Sequence, residues 1–131
     1  GRMQTPEIDV SVQTRYLPEA SAPLDEVYSF AYTIRIRNLG AVPGQLIARH
    51  WIIEDSDGLR EEVRGLGVVG HQPLLQPGES FEYTSGCRLH TPTGTMRGRY
   101  RFVTEEGEPF DVPIAPFTLD ATGHLGPRTL H

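Results

Sequence analysis

Three glycines in the middle of the chain are spaced as in a phosphate-binding loop. Gly65, Gly67 and Gly70 match the pattern G-x-G-x-x-G, and Arg64 and His71 flank them. In dinucleotide-binding folds such glycines follow a strand and open a helix whose N-terminus holds a pyrophosphate. Here the next residues are H-Q-P-L-L-Q-P-G, and their two prolines exclude a helix. Because no strand–helix–strand unit surrounds the motif either, its context excludes a dinucleotide-binding loop.

Two interpretations of the glycines remain open. Successive backbone N–H groups in a glycine loop can bind an anion without any helix. In that case Gly65, Gly67, Gly70, Arg64 and His71 would bind a phosphate or a partner. Alternatively, the glycines supply backbone angles that an ordered surface loop needs. We expect the structural role to be the main one, with anion or partner binding as the competing hypothesis.

Arginines at alternate positions form a second candidate site. They are Arg35 and Arg37 in one predicted strand, and Arg97, Arg99 and Arg101 in another. Because alternate residues of a strand share a face, each set should line the outer face of its sheet. Together they could form a five-arginine patch that binds phosphates or an acidic partner. The alternative, which we favour, is a charged exterior that acidic residues such as Glu82 balance across the strands.

Histidine, cysteine and carboxylate residues give no pattern of a metal or catalytic site. The five histidines lack metal-ligand spacing, and Asp and Glu between residues 55 and 62 are typical of a solvated hairpin. In the run Arg49-His50-Trp51, Trp51 is predicted to be a core residue, with Arg49 on its face of the strand and His50 opposite. Cys87 has no base nearby and is predicted to be a small buried hydrophobe. We therefore predict no metal, no cofactor and no enzymatic activity.

The composition is typical of one soluble globular domain. Of 131 residues, 37% are hydrophobic and 22% are charged. No apolar run approaches the ~18 residues of a membrane span, and the first residues, G-R-M-Q-T-P, lack an apolar signal region. A single cysteine suits a reducing compartment, so we expect a cytoplasmic protein. The net charge of -5 argues against nucleic-acid or membrane-surface binding.

Alternating apolar and polar residues predict strands along the whole chain. The predicted strands cover 8–16, 27–37, 45–54, 59–64, 79–85, 96–103 and 110–119. The second of these has five large apolar residues on one face and should form the centre of the core. Pro113 and Pro116 place the last strand at a sheet edge. About seven strands separated by turn signals predict an all-β antiparallel β-sandwich, with closed barrels as the alternative.

Several longer runs resemble the bacterial ApaG family, also named CorD. These runs are F-A-Y-T-I-R-I-R-N (30–38), A-R-H-W-I-I-E-D (48–55), G-V-V-G-H-Q-P (67–73), P-G-E-S-F-E-Y-T-S-G (77–86), G-T-M-R-G-R-Y (94–100) and P-R-T-L-H (127–131). The resemblance implies an immunoglobulin or fibronectin type III-like sandwich in a bacterial cytoplasmic protein associated with cobalt and magnesium efflux or resistance. It brings no agreed biochemical activity. Related domains in eukaryotic F-box proteins and in a DNA-polymerase-interacting protein suggest a protein-interaction module.

These observations give one predicted organisation and two hypotheses of function. We expect a flexible segment over 1–7, an ApaG-like sandwich domain over 8–119 and a C-terminal tail over 120–131. The first hypothesis is a non-enzymatic interaction protein, monomeric or weakly dimeric, that affects ion homeostasis through a protein partner. The second is a small-ligand sensor that binds a divalent cation or a phosphate- or pyrophosphate-containing nucleotide at the glycine-rich loop.

Overall fold

The computed structural model describes residues 6–124, which form a sandwich of two antiparallel β-sheets. Its strands are β1 (Ile8–Tyr16), β2 (Tyr28–Asn38), β3 (Gly44–Asp55), β4 (Arg60–Leu66), β5 (Leu74–Leu75), β6 (Ser80–Leu89), β7 (Thr93–Val103) and β8 (Pro109–Asp120). Three single 3-10 turns cover Pro18–Ala20, Pro23–Asp25 and Thr122–His124. The seven long strands confirm the sequence prediction, and the two-residue β5 adds an eighth.

The strands divide into a small and a large sheet. The small sheet has the order β1-β2-β6, and the large sheet has the order β4-β3-β7-β8, with β5 paired to the start of β3. Every named pairing is antiparallel. Two separate sheets confirm the predicted sandwich rather than a closed barrel.

The inner faces of the two sheets form one hydrophobic core. From β2, Phe30, Ile34 and Ile36 are at most 1% exposed, as their alternation predicts. From the large sheet, Trp51 and Tyr100 pack against them, and Trp51 is only 2% exposed. Burying each such side chain contributes about 1.5–3 kcal/mol before the entropy cost of folding. The core prediction, including Trp51, is therefore confirmed.

A polar contact at the centre of the core joins the two sheets. The hydroxyl of Tyr83 on β6 lies 2.5 Å from the hydroxyl of Tyr100 on β7, and both side chains are buried. Burial raises the pKa of Tyr83 to about 12 and raises the pKa of Tyr100 further. Both phenols therefore stay protonated at neutral pH, and each satisfies the other's polar atom.

The sheet edges meet differently on the two sides of the sandwich. On one side β1 and β8 contact each other, and β8 is the edge strand that Pro113 and Pro116 predicted. On the other side lie β4 and β6, each an edge strand of its own sheet. On that side the inner-face side chains of Val63 on β4 and Cys87 on β6 are only half-buried.

Order extends into the segment 1–7, which was predicted to be flexible, and into the predicted C-terminal tail. The Leu39 amide donates a hydrogen bond to the Glu7 carbonyl oxygen, and Pro6 is buried. At the other end, the His124 ring packs on Tyr16 with 5.4 Å between ring centroids. The remainder of the two predicted tails, 1–5 and 125–131, lies outside the described residues. No helix among residues 6–124 is long and apolar enough to cross a membrane.

Candidate functional site

The second half of the glycine motif is a tight turn. Val68 and His71 exchange two backbone hydrogen bonds of 2.8 Å, and the two residues between them, Val69 and Gly70, have φ values of 43° and 82°. Two central residues with positive φ define a type I′ turn, which favours glycine. The turn is anchored because Val68 is completely buried. At Gly70 the structure therefore agrees with the structural interpretation of the motif.

Three amides of this segment donate to the protein's own carbonyl oxygens. Gly67 N–H donates to the Ile47 oxygen at 2.8 Å, while the Val68 and His71 amides form the turn. Gly67 has a φ of 65°, and a Cβ there would collide with the His71 carbonyl. The His71 ring packs on Phe81, with 5.7 Å between centroids. Among the described residues, the amides of Gly67, Val68 and His71 are therefore already bonded, and an anion could meet only those of Val69 and Gly70 in this segment.

Gly65 belongs to a strand instead of a loop, which corrects the predicted start of the loop at this residue. It lies in β4 directly opposite Arg49 of β3. A Cβ on Gly65 would be 2.8 Å from Arg49 Nη1. That Nη1 donates hydrogen bonds to the carbonyl oxygens of Leu66 and Gly67, at 3.1 and 2.9 Å. The glycine therefore leaves room for a guanidinium that holds the end of β4.

The outer face of the large sheet brings together residues from both predicted sites. His50 of β3 pairs with Arg64 of β4 on one side and with Arg99 of β7 on the other. The next row places Ala48 between Leu66 and Arg101, and Arg101 opposite Asp111 of β8. These rows enclose a depression of ≈ 440 Å³. We call it the arginine groove; its lining residues are Ala48, Arg49, His50, Arg64, Gly65, Leu66, Arg99, Arg101 and Asp111.

One carboxylate serves the two arginines of β7 in this groove. Asp111 lies 3.7 Å from Arg99 Nε and 3.1 Å from Arg101 Nε. Both arginine side chains are about half exposed, and within residues 6–124 their Nη groups make no hydrogen bond. Nη groups are the donors with which arginine binds a carboxylate or phosphate in a bidentate manner. The groove therefore exposes two guanidinium groups whose Nη atoms are available to bind an anion.

A second carboxylate organises the β4 side of the groove. Glu62 accepts a hydrogen bond from His50 Nε2 at 3.0 Å and contacts Arg60 and Arg64 at 2.9 and 3.3 Å. The hydrogen bond from His50, followed by the two arginine charges, lowers the pKa of the Glu62 carboxyl. Arg64 remains 71% exposed. Around the groove, Glu62 and Asp111 are thus paired with four arginines, which leaves a surplus of positive charge. The four are Arg60, Arg64, Arg99 and Arg101.

The five candidate arginines do not form one patch, because they lie on opposite outer faces of the sandwich. Arg35 and Arg37 belong to β2 in the small sheet, where Arg35 is directly opposite Glu82, as the alternative interpretation expected. In the large sheet, Arg97 is paired with Glu54 and does not line the arginine groove. Only Arg99 and Arg101 of the five line it.

The groups with nucleophilic or metal-binding chemistry have ordinary structural surroundings. Burial, with a smaller contribution from Glu61, raises the pKa of the Cys87 thiol to about 11. Burial also raises the pKa of the Tyr32 hydroxyl. Within the part of the chain from 6 to 124, no three His, Cys, Asp or Glu side chains are grouped so that they could hold a metal ion.

Comparison with known proteins identifies the family. The ApaG domain, DUF525, matches residues 18–104, more than half of the chain. The chain is also 60% identical over 125 residues to Protein ApaG of Bordetella pertussis, a match that covers 95% of this chain and 92% of that protein. The chain belongs to the ApaG family.

Other ApaG proteins and solved structures agree with this assignment. Protein ApaG of an Acidovorax species is 61% identical over 115 residues, covering 88% of this chain and 84% of its own length. The crystal structure of a protein from Bordetella pertussis described as the putative ApaA protein superposes with a TM-score of 0.87 at 59% identity, covering 91% and 97% of the two chains. A second X-ray structure gives a TM-score of 0.83 at 45% identity, with 91% and 90% covered.

The ApaG domain contains most of the arginine groove. Arg64, Arg99 and Arg101 lie inside the matched range 18–104, whereas Asp111 lies beyond it. Ala48, Leu66 and Asp111 were not predicted from the sequence as site residues, and Arg49 was predicted without a function. These residues come together only through the pairing register of β3 with β4 and β7. That register cannot be predicted from a local sequence pattern.

Proposed function

We propose that this ApaG-family protein is a non-enzymatic interaction module that binds an acidic segment of a protein partner in the arginine groove. The observation that supports this most is the convergence of Arg64, Arg99 and Arg101 on one depression of ≈ 440 Å³. Leu66 lies at its edge and is 75% exposed. A partner with carboxylates beside an apolar side chain would match both features.

The state of the arginines supports a carboxylate-bearing partner. Arg99 and Arg101 share Asp111 through Nε alone, so their Nη groups can bind additional carboxylates. Exposed ion pairs contribute only about 0–1 kcal/mol, so the present pairing is weak enough to rearrange. The groove is also a positive area on a chain of net charge -5, and this contrast would orient an acidic partner as it approaches.

Under this proposal the protein affects cobalt and magnesium homeostasis, with which the family is associated, through its protein partner and not by binding the ions itself. Guanidinium groups repel divalent cations, so the arginine groove is a poor place for direct ion binding. The proposal that the protein binds and does not catalyse is supported by Cys87, whose pKa of about 11 leaves almost no thiolate at neutral pH.

Capture of partners from a bacterial lysate tests the proposal. We expect the wild-type chain to retain a protein that the variant Arg99→Glu/Arg101→Glu loses. The matched control is Arg35→Glu/Arg37→Glu, which makes the same charge change on the opposite sheet and should retain that protein. Equal capture by all three, or equal loss in both variants, would count against the arginine groove as the docking surface.

A small-ligand sensor is the second candidate function. For its ligand site, the arginine groove is a better location than the glycine loop. A depression of ≈ 440 Å³ lies within the range of about 300–1,000 Å³ typical of small-molecule sites. Nuclear magnetic resonance titration with ATP, pyrophosphate and Mg²⁺ separates the candidates. For a sensor of phosphate groups, we expect shifts at Arg64, Arg99 and Arg101 that exceed those at the Gly67 and Gly70 amides. No shift at any groove residue would rule out the sensor.

A further inference from the structure

The strand β6 ends the small sheet and lacks the features that keep the other edge strands from pairing. β8 contains Pro113 and Pro116, which cannot donate to a ladder, and β1 lies against β8. β4 places Glu61 opposite the buried Ile53, and a charge on the inner side opposes the addition of a strand. β6 has no proline, pairs continuously with β2 and has only uncharged residues on its inner side. β6 is therefore the edge best suited to pair with another strand.

Alternate residues of β6 carry the free backbone groups of this edge. The Asn38 amide donates to the Glu79 carbonyl oxygen at 2.9 Å, where β2 ends beside the start of β6. Because hydrogen-bonded pairs alternate along an antiparallel ladder, the odd-numbered residues of β6 are the ones that bond to β2. The even-numbered residues point their amides and carbonyl oxygens away from β2, and no strand among residues 6–124 pairs with them there. They are Ser80, Glu82, Thr84, Gly86 and Arg88.

The two charged side chains of β6 belong to this even-numbered set and are unpaired. Glu82 and Arg88 are exposed, and neither forms a salt bridge within residues 6–124. Arg35 lies opposite Glu82 on β2, yet their charged groups do not form an ion pair. Both charges are therefore available to a second chain at the β6 edge.

One antiparallel register lets a second copy of β6 use both the free backbone groups and the two charges. Pairing centred on Ser85 places Glu82 opposite Arg88 of the second copy, and Thr84 opposite Gly86. These four residues are even-numbered, so each pair can exchange two backbone hydrogen bonds. Twofold symmetry repeats the pairs, so an ion pair lies on each side of the centre. Centring on Thr84 instead would place Glu82 opposite Gly86 and separate the charges.

We propose that this protein forms a twofold-symmetric dimer in which two β6 strands pair in an antiparallel manner about Ser85. The pairing joins the two small sheets into one continuous sheet. Addition of a strand at a sheet edge is an established mode of recognition, because backbone hydrogen bonds supply affinity while side chains set the register. The arginine groove lies on the outer face of the large sheet, away from this edge. The dimer therefore leaves the groove open, and the proposal is independent of the acidic partner.

Sedimentation velocity of the full chain over a range of concentrations tests this proposal. We expect a wild-type dimer whose dissociation constant rises about tenfold or more in Arg88→Glu, because two attractive charge pairs become repulsive. Glu82→Arg should have the same effect. The charge swap Glu82→Arg/Arg88→Glu again places unlike charges opposite each other, so it should recover the dimer. The control Arg15→Glu makes the same charge change on β1, the other edge of this sheet, and should dimerise as the wild type does.

The charge swap separates pairing between two chains from an effect within one chain. Arginine at position 82 faces Arg35 in the swapped variant as it does in the single variant, so relief of repulsion within the monomer cannot explain a recovery. A wild-type chain that stays monomeric up to millimolar concentration would overturn the proposal. A dimer that both single charge reversals leave intact, or a swap that fails to restore it, would overturn the register.

A disulfide test does not depend on the charges. About the twofold axis Ser85 faces its own copy in a non-hydrogen-bonded pair, in which Cα atoms are about 4.5 Å apart and within reach of a disulfide. We expect Ser85→Cys/Cys87→Ser, which keeps one cysteine per chain, to form a covalent dimer on mild oxidation. The control Gln13→Cys/Cys87→Ser, with its cysteine on β1, should stay monomeric. Equal crosslinking of the two variants, or none at position 85, would contradict the proposed pairing.

Discussion

The guanidinium of Arg49 occupies the space in which Gly65 would carry a Cβ atom. The two residues are directly opposite each other in the β3–β4 pair, and the hypothetical Cβ would be 2.8 Å from Arg49 Nη1. From there Arg49 bonds the carbonyl oxygens of Leu66 and Gly67, where β4 ends and the turn begins. The first glycine of the motif thus leaves room for an arginine of the same chain.

Gly65→Ala should destabilise the protein by displacing this guanidinium. We expect a loss of about 1–3 kcal/mol in the free energy of unfolding, because hydrogen bonds from a charged donor to two carbonyl oxygens are lost or weakened. Urea denaturation measures it. The matched control is Gly86→Ala, also in a strand, where a Cβ has only one neighbour, at 3.6 Å; it should change stability by less than about 0.5 kcal/mol.

A double-mutant cycle shows whether Arg49 is the cause. In an Arg49→Ala background the space beside Gly65 is open, so Gly65→Ala should then cost less than about 0.5 kcal/mol. If Gly65→Ala costs the same in both backgrounds, the contact with Arg49 does not explain why a glycine is present there.

The buried hydroxyl pair of Tyr83 and Tyr100 should show a non-additive response to mutation. Either single change to phenylalanine leaves one buried hydroxyl unpaired and should cost about 1–3 kcal/mol. Replacing both by phenylalanine removes both polar atoms and should cost less than the sum of the single changes. Urea denaturation of the four proteins measures this. Additive costs would show that the 2.5 Å contact does not couple the two residues.

The same tyrosines predict the response of stability to alkaline pH. Their pKa values are raised in the folded state, to about 12 for Tyr83, from an unfolded value near 10.0. The folded state therefore holds protons that the unfolded state releases, so this contribution to stability is complete below pH 10 and is lost as the pH rises through 12. Urea denaturation at increasing pH should show this fall. The fall should be smaller in the variant with phenylalanine at both positions, and an equal fall would contradict this origin.

Local alternation was sufficient to predict the sandwich. The strands β1 and β2, the edge position of β8 and the burial of Trp51 all follow from which residues share a face, and this information is local in sequence. The start of the glycine loop was wrong because Gly65 forms the ladder with β3, a partner distant in the sequence. Glycine is rare in strands, so composition favoured a loop.

The candidate site was predicted only in fragments, because it depends on strand pairing. Arg64 was grouped with the glycine motif as a flanking residue, whereas Arg99 and Arg101 were grouped with Arg35 and Arg37. The large sheet instead joins Arg64 with the β7 arginines across β3, and it places the β2 arginines on the other face of the sandwich. Alternation predicts which residues point outward, but only the strand order determines which outward residues are neighbours.

Site-specific photocrosslinking in living cells tests the proposed docking surface most directly. A photoreactive amino acid at Leu66 lies at the edge of the arginine groove, and one at Gln13 lies on an exposed position of the small sheet. We predict a discrete crosslinked protein from position 66 that Arg99→Glu/Arg101→Glu abolishes, and no such product from position 13. A product from position 66 that persists after charge reversal, or the same product from both positions, would contradict binding in the arginine groove.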